Sequence, residues 1–241
     1  MTEPPLVSIV VPTYREAENL PRLVEEISSA MRESRYGFEI IIVDDDSRDG
    51  SIETVERLIR EGHPVRIEVR TDPRDLSRAA LHGFRSAAGK YLVCMDADLS
   101  HPASSIPQFI DTLALEEADF VVGSRYVQGG STEERWGLFR RLNSGVATLL
   151  ARPLVRVKDP MSGFFAFPAE ILKEVTRLDP VGYKILLELL VRARARRIIE
   201  LPIHFAQRQK GESKLTLRQQ MLYLRHLVRL YSFALFRRTT R

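Results

Sequence analysis

A single cysteine, Cys94, in a chain of 241 residues excludes an intrachain disulfide framework. It lies in the apolar run YLVC, the setting of a buried core thiol rather than a nucleophile. No run of about 18 uncharged apolar residues occurs, so no membrane-spanning helix is expected. The N-terminal MTEPPLVS has no basic region leading into an apolar one, which predicts no signal peptide. No G-x-G-x-x-G follows the first apolar run and no G-x-x-x-x-G-K-[ST] occurs, so the common dinucleotide and P-loop readings lose support. Internal repeats, low-complexity tracts and a linker dividing the chain are absent as well.

What is present reads as one large α/β domain with a sizeable core: 44% hydrophobic and 28% charged residues. The net charge of +4 is unevenly placed. Nine Lys or Arg and one acid, Glu212, follow Glu200, leaving the rest of the chain net acidic. A basic C-terminus on a mildly acidic body suggests an anionic partner: nucleic acid, lipid headgroups or a phosphorylated substrate.

Short apolar runs alternate with helical periodicity. LVSIVVP (6–12), FEIIIVDDDS (38–47), VRIEV (65–69), YLVCMDAD (91–98), DFVVGSRY (119–126) and RIIELPIHF (197–205) read as strands. Helices are expected over 19–33, 51–62, 77–88, around 105–115, over much of 136–157 and over 182–194. KDPMSGFFAFP (158–168) reads as a loop leading into a short strand. The alternation predicts a mostly parallel sheet with helices on both faces, whose ligands bind at the C-terminal strand ends. Those ends carry the unusual residues: PTYRE, DDDS, DADLS and GSRY.

The stretch MDADLS sets Asp96 and Asp98 one residue apart. If the strand runs through them, both carboxylates point to one face. Like charges so placed raise each other's pKa unless a cation lies near them. For one D-x-D alone, a strand-end turn with solvated acids is the simpler reading.

VVPTYRE, VDDDSRDGS, MDADLSHP, GSRY, DPMSGF, GYKILLE and RQKGESK occur in an order that resembles the dolichol-phosphate mannose synthases of inverting glycosyltransferase family 2, from about residue 6 to 217. PTY-x-E, VDD and D-x-D belong to the broad family; GYKILLE and the R-x5-K around GESK are specific to the polyprenyl-phosphate members. The resemblance implies the Rossmann-like glycosyltransferase A fold. It implies that Pro12, Tyr14 and Glu16 line a nucleotide pocket, with Asp44 and Asp46 at base and ribose and Asp45 as their neighbour. Asp96 and Asp98 become the ligands of Mg²⁺ or Mn²⁺, which keeps both acids ionised. Asp96 also faces the nucleotide. Some relatives carry glutamine where Ser100 stands, so Ser100 is a weaker third ligand. Arg125, Arg140 and Ser144 are implied at the acceptor phosphate. Arg208 and Lys214 join Asp96, Asp98 and Arg125 as the catalytic group, Arg acting as a fork for phosphate oxygens and Lys as a point charge.

The implied reaction is transfer of mannose from GDP-mannose to dolichyl or polyprenyl phosphate with inversion. Such an acceptor has a second pKa of ~6, so it needs no general base at neutral pH. His101 and His204 are therefore expected to be structural, and Glu188 in LLELL to be a paired structural charge. Two other readings remain open: the same reaction with UDP-glucose or another nucleotide sugar, and an inactive nucleotide-sugar-binding subunit of a membrane glycan assembly. Nucleic acid is not expected, because the basic tail lacks interleaved aromatics and a readout motif.

Residues 1–215 are expected to form the catalytic domain and 216–241 an amphipathic basic helix, packed on it or associated with lipid. Leu217, Met221, Leu224, Val228, Tyr231 and Leu235 share a face, while Arg218, Arg225 and Arg229 lie on another, at headgroup level. The expected location is the cytoplasmic face of a membrane, reached as a peripheral protein, as a homo-oligomer or through a small membrane-anchoring subunit.

Overall fold

All seven residues of VSIVVPT are buried, as in a strand covered on both faces; this is β1 (Val7–Thr13). The computed structural model describes residues 6–133, 138–175, 178–179, 182, 184–207 and 217–236, with only the backbone of 138–144, 217–219 and 236. After β1 come α1 (Leu20–Arg32), β2 (Phe38–Asp44), α2 (Ser51–Arg60), β3 (Val65–Val69), α3 (Leu76–Ser86) and β4 (Tyr91–Cys94). A 3₁₀ turn (Ala103–Ser105), α4 (Ile106–Glu116), β5 (Phe120–Ser124), β6 (Ser131–Thr132) and α5 (Leu138–Ala151) follow. The chain continues through β7 (Phe165–Pro168), α6 (Glu170–Glu174), α7 (Ile185–Arg192), β8 (Ile198–Pro202), β9 (His204–Phe205) and α8 (Leu217–Phe236).

Seven strands form one sheet in the order β3-β2-β1-β4-β7-β5-β8, parallel throughout except β7, which runs antiparallel to β4 and β5. This is the expected mostly parallel sheet with helices on both sides. Alternate residues divide the core between the two faces. Val7, Ile9 and Val11 pack with Leu23, Val24 and Ile27 of α1, Val55 of α2 and Phe109 of α4. Val10, Ile41 and Val43 pack on the other side with Phe84 of α3, Leu187 and Leu190 of α7 and Leu227 of α8. Burying each such side chain contributes roughly 1.5–3 kcal/mol. At Gly83, α3 comes so close to the sheet that a Cβ would lie 2.5 Å from Val10 Cγ1.

The strand containing YLVC departs from the sequence reading: it stops at Cys94 and does not run through the two acids. The helix expected over much of 136–157 is α5. The strand expected over 197–205 is divided into β8 and β9. β6 and α6 are short elements with too few residues to generate a periodic signal.

α8 lies against the domain through Tyr223, Leu227 and Leu230, all buried. Tyr223 and Tyr231 donate their hydroxyls to the carbonyls of Ala147 and Leu150 on α5, each at 2.7 Å. A polar junction underlies this packing. Glu188 of α7 is fully buried and accepts from Arg192 Nε (2.6 Å) and the Asp179 N–H (3.1 Å). Its second oxygen lies 2.9 Å from His226 Nε2 of α8. The expectation that Glu188 is a paired structural charge is met. Arg229 pairs with Asp179 rather than lying on a headgroup stripe.

Burial alone would raise the Glu188 pKa, but the His226 hydrogen bond, the Asp179 N–H and Arg192 together hold it below its ordinary 4.5. A depressed pKa stabilises above the unfolded value and loses that contribution as pH falls through the folded one. Glu188→Gln is therefore expected to cost roughly 3 kcal/mol at pH 7. The gap should narrow below pH 4.5. Urea denaturation of both proteins at neutral and acid pH checks this; a gap independent of pH would show that the charge of Glu188 is not what holds α8.

Candidate active site

The chain runs from β1 to β2 to β3 on one side of the sheet, then crosses to β4 on the other. The strand order thus reverses between β1 and β4, which is where open α/β sheets form ligand crevices. Pairing of β1 with β2 extends to Thr13↔Asp44, but pairing with β4 stops at Val10↔Cys94. One more bond follows, from the Met95 N–H to Val10 O (3.2 Å). Pro12 lies past the end of that ladder, where its missing N–H breaks no bond. A gap opens there, and the loops after β1, β2 and β4 line it. Of the six non-glycine residues with positive φ among those described, Arg15, Asp46, Arg48 and Leu99 lie in these loops. Each is strained by roughly 1–3 kcal/mol and is held in place by its neighbours.

The β1 and β2 loops hold each other. Buried Asp44 receives the Ser47 N–H (2.7 Å) and hydroxyl, and Ser47 Oγ accepts the Arg15 N–H (2.8 Å). Asp49 accepts the Ala17 N–H (3.1 Å). Asp45 is buried and forms an ion pair with equally buried Arg70. Burial raises the Asp45 pKa, against the opposing pull of the Asp75 N–H and Arg70. Asp46 lies at the surface and pairs with Arg48. Tyr14 lies under the Arg74 guanidinium, 4.2 Å from its ring centroid, a cation–π contact. Glu16 accepts from Asn19 Nδ2 (2.6 Å).

Asp96 and Asp98 occupy the loop after β4. Asp98 is buried and accepts both the N–H (3.2 Å) and the hydroxyl of Ser100. Asp96 is partly open, with a quarter of its side chain exposed. Its N–H donates to His101 Nδ1 (3.1 Å), and His101 is buried, stacked on Phe164 at 5.1 Å. That imidazole fixes the backbone of the acid loop. Gly163 leaves room for the Asp96 carboxylate: a Cβ there would lie 2.9 Å from both oxygens. Burial and the Asp96 charge push the Cys94 thiol well up, so it is inert as a nucleophile.

Among the described residues, no three His, Cys, Asp or Glu side chains converge as a metal site. Mg²⁺ and Mn²⁺ need only one or two carboxylates when substrate phosphates complete the shell. The two carboxylates and the Ser100 hydroxyl are hard oxygen donors that fit such a cation.

Arg125 follows β5, and its Nε and a terminal nitrogen fork onto Asp159 at 2.8 and 2.9 Å. Asp159 is fully buried and accepts the Arg125 N–H as well (3.2 Å). Burial works against the Arg125 charge, but Asp159, with Tyr126 and Asp96, more than offsets this and raises its pKa. Arg125 therefore stays cationic within the field of Asp96. Arg140 and Ser144 lie on the α5 backbone, their side chains outside the description; Arg208 and Lys214 fall outside the described residues.

The structure thus brings Pro12, Tyr14, Glu16, Asp44, Asp45, Asp46, Asp96, Asp98, Ser100 and Arg125 to one edge of the sheet. Sequence reasoning missed their supports: Arg70, Arg74, Asp75, Asp159 and Gly163. Asp75 caps α3 by accepting the Arg78 N–H (3.0 Å), gives its own N–H to Asp45 (2.9 Å) and takes the Gly182 N–H (2.7 Å). It joins the Asp45 side of the crevice to the GYK stretch that leads into α7. The cap is legible in the order DPRDLSR, but its two distant partners are not.

The family model for glycosyl transferase family 2 matches residues 8–176. A dolichol-phosphate mannosyltransferase of Mycosarcoma maydis is 46% identical over 95% of this chain and 80% of its own length. One from Pyrococcus furiosus is 42% identical over 93% of this chain, which spans 63% of that longer protein. A mannosyltransferase from Pyrobaculum calidifontis, solved with GDP-Man and Mn²⁺, shares the fold with a TM-score of 0.63. That match has 20% identity and covers 95% of this chain and 65% of the other. Identity at the level of the first two relatives, sustained along nearly the whole sequence, makes this a glycosyltransferase: the chain belongs to glycosyl transferase family 2, as a relative of the dolichol-phosphate mannosyltransferases.

Proposed function

We propose that the chain transfers mannose from GDP-mannose to dolichyl or polyprenyl phosphate, with inversion and in dependence on Mg²⁺ or Mn²⁺. The observation that carries this reading is the acid pair Asp96 and Asp98 in the β1–β4 crevice, in a chain whose relatives at 42–46% identity bear the name dolichol-phosphate mannosyltransferase.

In this reading Pro12, Tyr14, Glu16 and the acids Asp44–Asp46 bind base and ribose. Asp96, Asp98 and Ser100 would hold the cation, which supplies charge neutralisation at the diphosphate. Arg125 stays charged beside Asp96 and, with Arg208 and Lys214, stabilises the phosphates without reorganising. Arg140 and Ser144, four residues apart in sequence on α5, would bind the acceptor phosphate. The acceptor arrives largely dianionic and needs no protein base. His101 orients the Asp96 backbone.

The 1–215 segment is the catalytic unit, and the helix within 216–241 brings it to the cytoplasmic face of a membrane. No described helix is long and apolar enough to cross one. α8 instead exposes Met221, Leu224, Val228 and Leu235, on a face other than the one it buries. That combination suits a helix packed on the domain and lying on lipid.

The test is a transfer assay with Mg²⁺ or Mn²⁺, a short-chain polyprenyl phosphate, and labelled GDP-mannose beside UDP-glucose. Metal-dependent mannolipid is expected, lost by more than roughly 100-fold in Asp98→Ala. Product from UDP-glucose alone would overturn the donor assignment; tight nucleotide binding without product would overturn the catalytic one. Gly163→Ala is expected to leave the melting temperature nearly unchanged, because Asp96 can rotate away from the new methyl. Its kcat should fall roughly 100-fold, since a displacement of about 1 Å suffices for that. Unchanged turnover would show that the placement of Asp96 is not critical.

A further inference from the structure

Between the segment that follows α5 and the edge strand β8 lies an open, shallow cavity of about 380 Å³. Arg152, Val155, Arg156, Val157, Lys158 and Glu200 line it. Three cations within seven residues share this space, and none has a side-chain partner among the described residues. The one acid in the lining, Glu200, offsets only one of the three positive charges. Both Glu200 oxygens are engaged by backbone N–H groups, of Lys158 (2.8 Å) and Asp159 (3.0 Å). Helix capping does not draw the guanidinium groups away either. The Thr148 carbonyl takes the Arg152 N–H, and the Ala151 carbonyl takes those of Leu154 and Val155.

The surroundings indicate which anion would suit these cations. α5, just before the cavity, exposes Val146, Leu149 and Leu150. The two tyrosine bonds place α8 alongside α5, so the exposed Met221, Leu224 and Val228 belong to the same pair of helices. Two adjoining helices that expose apolar residues next to these cations match lipid, with acyl chains against the helices and phosphate at the rim. A soluble anion would account for the cations but not for the exposed apolar residues.

We propose that Arg152, Arg156 and Lys158 form a binding site for the phosphate of an anionic phospholipid headgroup, separate from the transfer site. It rests on the reading of the chain as a peripheral membrane enzyme. Lys158 adjoins Asp159, the partner of Arg125, so a lipid held there would fix the height of the crevice above the bilayer.

The experiment is vesicle sedimentation of the full chain. Phosphatidylcholine alone is compared with phosphatidylcholine containing phosphatidylglycerol, for wild type and for Arg152→Gln/Arg156→Gln/Lys158→Gln. Each cation near an anionic surface contributes about 1 kcal/mol, so the triple variant should bind anionic vesicles roughly 100-fold more weakly. Its affinity for neutral vesicles and its transfer to a short-chain acceptor in detergent should be unchanged. Arg152→Lys/Arg156→Lys should retain the preference. Equal binding of wild type to both vesicles, or a triple variant that keeps its full preference, would overturn the proposal. So would inorganic phosphate at millimolar concentration displacing wild type from anionic vesicles as well as from neutral ones. Sedimentation requires no turnover, so failure of the transfer assay leaves this test readable.

Discussion

Beyond the bond from the Met95 N–H to the Val10 carbonyl, β1 and β4 share no further ladder, and the functional groups gather at the gap this leaves. The constraint is topological. A sheet that grows from β1 toward β3 and then restarts at β4 must part its strands at that point. Pro12 keeps the gap from closing by further pairing, since it has no N–H to offer. The turns that follow must then leave the sheet at once, and the positive φ values of Arg15, Asp46 and Leu99 mark those exits.

Such a site concentrates acids, and the fold manages them one by one. Asp44 is engaged by its own turn through Ser47, and Asp45 by Arg70 and Asp75. Asp159 is held by Arg125. Asp96 is left partly open, fixed through its backbone by His101 and through the space left at Gly163. Buried ion pairs of this kind add little net stability, but breaking one strands a charge. Their effect here is to fix geometry: Asp44, Asp45 and Asp159 are each held in place by a cation or an amide.

Much of this is legible in order along the chain. Apolar runs that end in polar clusters mark the strand ends, because a buried parallel strand has little choice of residue until it leaves the sheet. The acids at 44–46 and 96–98 therefore stand out from the sequence alone. The partners do not. Arg70 meets Asp45 and Asp159 meets Arg125 across 25 and 34 residues, and no local pattern encodes such pairings. The apolar pattern carries the YLVC strand too far because Met95 and Ala97 are buried like strand residues, although they belong to a loop. β7 is visible as a strand, but its antiparallel entry between β4 and β5 depends on the path of the whole 125–165 segment. The periodicity of the C-terminal helix is compatible with packing on the domain or with facing lipid. Its residues divide between a buried and an exposed side, with Leu227 and Leu230 inward and Leu224 and Val228 outward.

If the β1–β4 crevice binds the nucleotide diphosphate through a cation held by Asp96 and Asp98, metal and nucleotide must bind together. Calorimetric titration of GDP into the protein, with and without Mn²⁺, tests this most directly, with Asp98→Asn alongside. The expected result is strong binding that depends on the metal and is lost in the variant. Equal GDP affinity without metal, unaffected by the substitution, would contradict it.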